Sequence, residues 1–409
     1  MSSRFALRST ARIVMGALVM VTLLWLNTTV VAAAATVERL AAVRIGRPGV
    51  VLIRGQNVPD PFMTRVGGRY YLFSSQEAFY GPHIPVRVSR SLTHWGRAAV
   101  DALPELPSWA ANGYTWSPDV RFVDGRWVMW FNALLRGVDP PLQTKCIGVA
   151  VARHVTGPYH PVGRRPAICQ LADWGSIDPR TMLGPNGGLW LLWKSDNNAN
   201  PSGRFDTKIF IQRLAADGIH LVGKPTELIS ANQPWDSGIV EAPDMVHAAG
   251  HYWLFYSAGW FNQPTYAIGV DRCASPLGPC RPARDGPWFG SNRQGAGPGE
   301  ASIFDDGTRW WMLYTVRAAN PVTGGGVRPT AIARLEFSPR GPTVIPPGSP
   351  RWAAPQSGPQ LPGIAGANGA TVPVPKGPVD GSPVPLPGRS SPRVRPGAEG
   401  APPGVPRHR

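Results

Sequence analysis

The sequence predicts an all-β protein, a five-bladed β-propeller, from a hairpin signature and from the period at which it recurs. The signature is a short strand, a glycine turn and an aromatic strand. Its aromatic halves are Gly67-Gly68-Arg69-Tyr70-Tyr71-Leu72-Phe73, Asp124-Gly125-Arg126-Trp127-Val128-Met129-Trp130, Asn186-Gly187-Gly188-Leu189-Trp190-Leu191-Leu192-Trp193, Ala249-Gly250-His251-Tyr252-Trp253-Leu254-Phe255 and Asp306-Gly307-Thr308-Arg309-Trp310-Trp311-Met312-Leu313-Tyr314. Gly-centred turn residues followed by bulky β-formers read as hairpins. The turn glycines Gly68, Gly125, Gly188, Gly250 and Gly307 are separated by 57, 63, 62 and 57 residues, a period of one antiparallel sheet per repeat. A chain that repeats a small sheet radially hides most of its strand edges, so five copies give five blades.

Taken in order, residues 36–50 lead into the ring, and Val51-Leu52-Ile53-Arg54 is a strand that either closes the ring or opens blade one. Blade one starts at Asp60-Pro61-Phe62, blade two at Thr115-Trp116-Ser117-Pro118-Asp119-Val120 and blade three at Ser176-Ile177-Asp178-Pro179-Arg180. Blade four starts at Glu241-Ala242-Pro243-Asp244 and blade five at Gly297-Pro298-Gly299-Glu300-Ala301-Ser302-Ile303. The repeat is continuous, so the length of 409 residues resolves into one β domain, 36–337, between two tails.

Residues 1–35 carry Arg4, Arg8 and Arg12, an apolar run from Ile13 to Leu26 and then Ala33-Ala34-Ala35, the pattern of an export signal. The uncharged stretch continues to Val37, long enough to span a bilayer, so an uncleaved anchor is the alternative. Residues 338–409 hold 19 of the 46 prolines. Such a segment buries too little apolar surface to offset its ordering entropy, and a disordered, Pro/Gly-rich basic tail is expected, either adhering to a wall or acting as a spacer.

The formal net charge is +16, of which residues 1–35 contribute +3, residues 338–409 contribute +6 and the body +7 without a basic stripe. That distribution, with no recognition motif behind it, argues against nucleic acid as a partner. The four cysteines suit two disulfides in an oxidising compartment. Three pairings are possible; the short loop between Cys273 and Cys280 favours that pair, leaving Cys146 with Cys169. No CxxC or HExxH spacing exists, which argues against a zinc site.

In the repeats an acidic residue lies seven to ten residues before the turn glycine, at the start of the strand that would line the channel; Asp60, Asp178 and Glu241 stand out. Radial symmetry would carry them to one rim. Paired carboxyl groups facing a common cleft are what glycoside hydrolysis needs, one to protonate the leaving oxygen and one to activate water or attack the sugar. Asp124, Asp305 and Asp306 read instead as turn residues. Trp116, at a strand start, is placed to stack on a sugar face. Trp127, Trp130, Trp190 and Trp193 alternate along strands and read as packing between blades. His247 and His251 flank a turn and read as exposed, and no GxSxG elbow or P-loop occurs in a suitable context.

The chain resembles glycoside hydrolase family 43, the five-bladed propellers of arabinanases, α-L-arabinofuranosidases and β-xylosidases, over about residues 50–320. Asp60-Pro61 followed by Gly68-Arg69-Tyr70-Tyr71-Leu72 resembles the blade-one motif of the general base. Trp116-Ser117-Pro118-Asp119-Val120 is similar to the blade-two element Trp-Ala-Pro-Asp-Val. Ser176-Ile177-Asp178-Pro179 resembles the motif whose Asp tunes the acid, and Glu241-Ala242-Pro243 the motif carrying the general acid. The resemblance implies an inverting hydrolase with Asp60 as base, Glu241 as acid and Asp178 as modulator, acting on arabinofuranosyl- or xylosyl-containing polysaccharide. Trp116, Asp119 and Arg317 are its candidate substrate-binding residues.

One departure stands out: many members carry Gly-Pro-Gly-His in blade five, with the His near an axial ion, whereas this chain has Gly297-Pro298-Gly299-Glu300. No cofactor is otherwise expected. Glu300 is the single metal candidate, for a structural calcium ion at the axis, since a lone carboxylate makes a site only if other oxygens converge on it. The expected protein is therefore a secreted or envelope-associated monomer, with its termini as possible contacts to membrane or wall. The alternative is a propeller that binds glycan without cleaving it. A retaining fructan-hydrolase type fits less well, because its Asn-Asp-Pro-Asn motif is missing where Pro59 precedes Asp60 and Pro61-Phe62 follow.

Overall fold

The computed structural model describes residues 49–353 apart from 55, 79, 139–142, 201, 204, 294 and 318–326. The segment expected to be an export signal or anchor, and the Pro-rich segment beyond 353, lie outside the described residues. Five antiparallel sheets account for the described strands, in the predicted order. Blade one is β2 (Phe62–Val66), β3 (Arg69–Phe73), β4 (Pro85–Ser89) and β5 (Val100–Asp101). Blade two is β6 (Ala110–Val123), β7 (Arg126–Leu135), β8 (Lys145–Ala152) and β9 (His160–Val162), and blade three is β10 (Ser176–Leu183), β11 (Leu189–Ser195), β12 (Lys208–Leu214) and β13 (Leu221–Ser230). Blade four is β14 (Val240–Ala248), β15 (His251–Ala258), β16 (Ala267–Cys273) and β17 (Cys280–Pro282). Blade five is β18 (Ala296–Asp305), β19 (Trp310–Arg317), β20 (Thr330–Ser338) and β21 (Gly341–Ile345), joined by β1 (Val50–Val51).

Strand β1 pairs antiparallel with β20, Val50 opposite Ile332 and Val51 opposite Ala331, so the first of the described strands closes the ring rather than opening blade one. The domain also runs further than residue 337. β21 pairs with β20 from Ser338–Gly341 to Arg334–Ile345, and Val344 and Ile345 are buried. Those few apolar residues are hidden by the proline average of the segment, which is why composition placed the boundary too early.

Period-two alternation explains how the blades hold together. Along β7, Trp127, Met129 and Phe131 belong to the core shared with blade one, whereas Val128 and Trp130 belong to the core shared with blade three. Successive side chains of a strand point to opposite faces, so one apolar strand feeds two inter-blade cores. Trp193 fills the second of these and Trp190 packs against the next, between blades three and four. Each large apolar side chain so buried contributes roughly 1.5–3 kcal/mol. The turn aspartates behave as expected, with Asp306 accepting from Thr308 N, Arg309 N and Trp311 Nε1 at 2.9, 2.9 and 2.7 Å. His247 and His251 are half-buried rather than exposed, because their rings pack on Tyr252 and Trp253 at 4.7 and 5.7 Å. The disulfides join Cys146 to Cys169, linking β8 to the segment leading into blade three, and Cys273 to Cys280, linking β16 to β17.

Candidate active site

The innermost strands share a local distortion that builds the site. Register shifts fall between Trp116 and Asp119 in β6, Ile177 and Arg180 in β10, Glu241 and Asp244 in β14, and Gly299 and Ser302 in β18. Within each shift one non-glycine residue has a left-handed backbone: Ser117 (φ 49°), Asp178 (57°), Ala242 (47°) and Glu300 (57°), with Asp60 (48°) at the same place before β2. Such a conformation costs of order 1–3 kcal/mol and persists only where surroundings enforce it. Four bulges and the left-handed Asp60 before β2 therefore mark five equivalent positions, three of them acidic, and Glu241 lies one residue ahead of the left-handed Ala242.

Hydrogen bonds tie these residues into one cluster. Ser75 Oγ donates to Asp60 Oδ2 and accepts Ser117 N–H at 2.7 Å, while Ser117 Oγ donates to Asp178 Oδ1 at 2.7 Å. Asp178 Oδ2 accepts the N–H of Ala242 at 2.9 Å, which places it against the residue after Glu241. Glu241 Oε1 accepts from Tyr266 OH at 2.6 Å and Oε2 from Lys194 Nζ at 3.0 Å. Tyr266 reaches it because residue 299 is glycine; a Cβ there would lie 1.9 Å from the Tyr266 ring. The Gly-Pro-Gly sequence of blade five thus clears the space through which the phenol approaches Glu241.

All three carboxyl groups are pushed above the ordinary carboxylate range, and in each case burial is the main cause. At Asp60 the Glu300 charge adds to burial, Arg328 opposes it and Asp178 adds again. At Asp178 the Lys194 ammonium and the Ser117 hydrogen bond oppose burial. At Glu241 Lys194 opposes and Asp178 reinforces. The Asp178 charge thus reaches both Asp60 and Glu241. Lys194 is itself fully buried and shares Asp196 with Lys145, at 3.7 and 3.2 Å.

Trp116 is half-buried at the rim, edge-on to Tyr114 with ring centres 5.3 Å apart, and Lys145 Nζ lies 5.1 Å from its centre. Arg317 ends β19, donates from Nε to Phe261 O at 3.0 Å and lies over the Phe261 ring at 5.5 Å. Asp119 does not reach the cleft. It is completely buried one layer deeper, where Thr181 Oγ1 donates to it and Arg180 Nη1 lies 3.7 Å away. A side chain with no exposed surface offers a sugar nothing to touch, which is at odds with the substrate-binding expectation.

Arg180 occupies the axis. It touches one residue from each other blade: Asp119 in blade two, Asp244 in blade four at 3.9 Å, Ser302 in blade five at 3.4 Å and the Phe62 ring of blade one at 5.2 Å. Sequence reasoning missed Arg180, Lys194, Tyr266, Ser75 and Arg328. Lys194 carried a signal, being the charged residue that ends the apolar run Leu189–Trp193; Tyr266 and Arg328 had none.

Among the described residues no group of three or more His, Cys, Asp or Glu side chains converges to hold a metal ion. The axial calcium expectation does not fit the donors at Glu300. Its Oε1 pairs with Arg328 Nη1, and its Oε2 accepts Thr315 Oγ1 at 2.8 Å and Asp60 N–H at 3.1 Å.

The fold and this cluster define a class, a propeller enzyme with its chemistry at one end of the channel. Residues 51–342 match the family described as Glycosyl hydrolases family 43. The chain belongs to that family and is a glycoside hydrolase. It is 24% identical over 289 residues to an extracellular exo-alpha-(1->5)-L-arabinofuranosidase of Cellvibrio japonicus, covering 64% of this chain and 80% of the relative. It is 27% identical over 259 residues to an extracellular endo-alpha-(1->5)-L-arabinanase of Thermotoga petrophila, covering 54% of this chain and 50% of that one. A thermostable family-43 glycoside hydrolase superimposes with a TM-score of 0.62 at 23% identity, over 77% of this chain and 98% of the other. An α-L-arabinofuranosidase from Lactobacillus brevis gives 0.59 at 21% identity, over 71% and 96%. At these identities the superpositions speak to the fold alone.

Proposed function

We propose that this protein is an exported hydrolase of arabinofuranosyl- or xylosyl-containing polysaccharide that works with inversion. Asp60 takes a proton from water as the water oxygen bonds to the anomeric carbon; the glycosidic bond breaks and its oxygen takes the proton of Glu241. Asp178 holds Glu241 in place through Ala242 N–H and disfavours its ionised form. The observation that carries this reading is the continuous link Asp60–Ser75–Ser117–Asp178–Ala242, which spans blades one to four and ends beside Glu241. The half-buried Trp116 beside it supplies an aromatic face for sugar C–H surfaces. Relatives named as arabinan-acting and extracellular support the substrate class and export. A monomer, with its termini available to membrane or wall, is part of the same proposal.

Proton NMR of the first product formed from an arabino-oligosaccharide tests the stereochemistry. The anomer opposite to that of the substrate is expected first, and initial appearance of the retained anomer sinks the inverting scheme.

Lys194 provides an independent prediction. Its ammonium stabilises the ionised form of Glu241, so Lys194→Met raises the pKa of that carboxyl group further. A general acid must be protonated, so the alkaline limb of the kcat/KM profile moves to higher pH. An unmoved limb in a folded variant would remove Lys194 from control of the acid.

A further inference from the structure

We propose that Glu300 and Arg328 form an ionic clamp that positions Asp60. The proposal rests on the reading of Asp60 as general base. Glu300 is 5% exposed and occupies the fifth equivalent rim position. Its own N–H is held by Ser257 Oγ at 2.8 Å, and both of its carboxylate oxygens face donors. One of those donors is the backbone N–H of Asp60, at 3.1 Å, and it fixes a residue whose φ is 48°. Ser75 holds the Asp60 carboxylate from the other side. Backbone and side chain of the base are therefore both restrained, the backbone by Glu300 across the seam between blades five and one.

Arg328 completes the clamp. It precedes β20, is one-fifth exposed along its side chain, pairs with Glu300 Oε1 and lies over the Phe261 ring at 5.3 Å, beside Arg317 on the same ring at 5.5 Å. Its charge reaches Asp60, Tyr266 and Glu241 as well as Glu300. A divalent ion needs six or more converging oxygens, or a site that keeps several waters. At Glu300 those directions are taken by a guanidinium, a hydroxyl and an amide, and Arg180 already places a positive charge one layer below, within 3.4 Å of Ser302 on the same strand. A built-in guanidinium thus balances the acidic rim without an exchangeable ion. The charged groups facing Asp60 are Glu300 from β18, Arg328 from the segment before β20 and Asp178 from β10. Glu300 disfavours the ionised base and Arg328 favours it, so the two variants have opposite signs.

The test is carbon NMR titration of the Asp60 carboxyl group in the full chain, assigned by its loss in Asp60→Asn, for the wild type, Glu300→Gln, Arg328→Met and Arg328→Lys. Glu300→Gln is expected to titrate at lower pH than wild type, Arg328→Met at higher pH and Arg328→Lys close to wild type. The acidic limb of kcat/KM follows in the same directions, and loss of the restraint lowers kcat by about tenfold or more in Glu300→Gln. EDTA and added calcium leave the melting temperature and the titration unchanged. An Asp60 titration unmoved in both Glu300→Gln and Arg328→Met overturns the clamp, as does a calcium-dependent rise in melting temperature that Glu300→Gln abolishes. Should Glu300→Gln fail to fold, the partly exposed Arg328 pair of variants decides by itself. Shifted titrations in a protein that hydrolyses no arabinan or xylan would leave the clamp standing and remove the assignment of Asp60 as base.

Discussion

Glu241→Gln loses turnover by about 10² to 10⁴-fold, the usual contribution of a general acid, while binding of arabino-oligosaccharide persists. The amide is nearly isosteric but keeps a single acceptor oxygen, so it retains one of the two donors that Glu241 holds, Tyr266 and Lys194, while the Gly299-cleared space for the Tyr266 ring is untouched. What disappears is the proton for the leaving oxygen. An aryl glycoside, whose leaving group needs little protonation, should lose much less rate than an arabino-oligosaccharide. Steady-state kinetics on both substrates, with calorimetric binding of the oligosaccharide, measure the difference. Equal losses on both, or full turnover on either, would exclude Glu241 as the proton donor.

Arg180→Met destabilises the fold by about 3–5 kcal/mol, the range for removing one partner from a buried ionic group. The variant leaves Asp119 and Asp244 buried at the axis with Arg121 as the remaining nearby cation. Burial already pushes Asp244 up to about 6, above its ordinary range, against the opposing charge of Arg180. A carboxyl group whose folded pKa lies above its unfolded one binds its proton first in the native state. Its stabilising contribution is present at low pH and is lost as pH rises through the folded value. Without Arg180 that value rises further, so the deficit is largest above the variant's raised value and shrinks as pH falls towards about 6, below which the group is protonated in both proteins. Urea unfolding at several pH values checks both size and trend, and a deficit independent of pH would show that the axial charges are not coupled in this way.

The ring was legible because each blade repeats the same strand, turn and aromatic strand, and glycine turns and period-two apolar residues are local signals. Asp60, Asp178 and Glu241 were legible for the same reason, each lying near a strand start one or two residues ahead of a proline. Their partners were not. Lys194 meets Glu241 from 47 residues away, Tyr266 from 25, and Arg328 meets Glu300 from 28, through contacts that follow from closure and not from local pattern. Asp119 was not legible as a buried residue because the motif holding it spans a bulge, where one extra residue upsets the alternation of faces by which burial is read from sequence. The end of the domain was misplaced because a five-residue strand, β21, sits inside a proline-rich stretch.

Pairing of β1 with β20 joins positions 282 residues apart, Val50 with Ile332. Synthesis proceeds from the amino end, so Val50 and Val51 emerge long before their partners exist, and the circle cannot be sealed until nearly the whole domain has left the ribosome. The entropic cost of so distant a closure grows only slowly with separation, but it falls on the final event, after four blades have had time to form. The strands β18 and β19 already pack on blade one through Phe304, Trp311 and Leu313 against Met63 and Leu72, so the late β1–β20 pairing locks by backbone hydrogen bonds an encounter that side chains can begin.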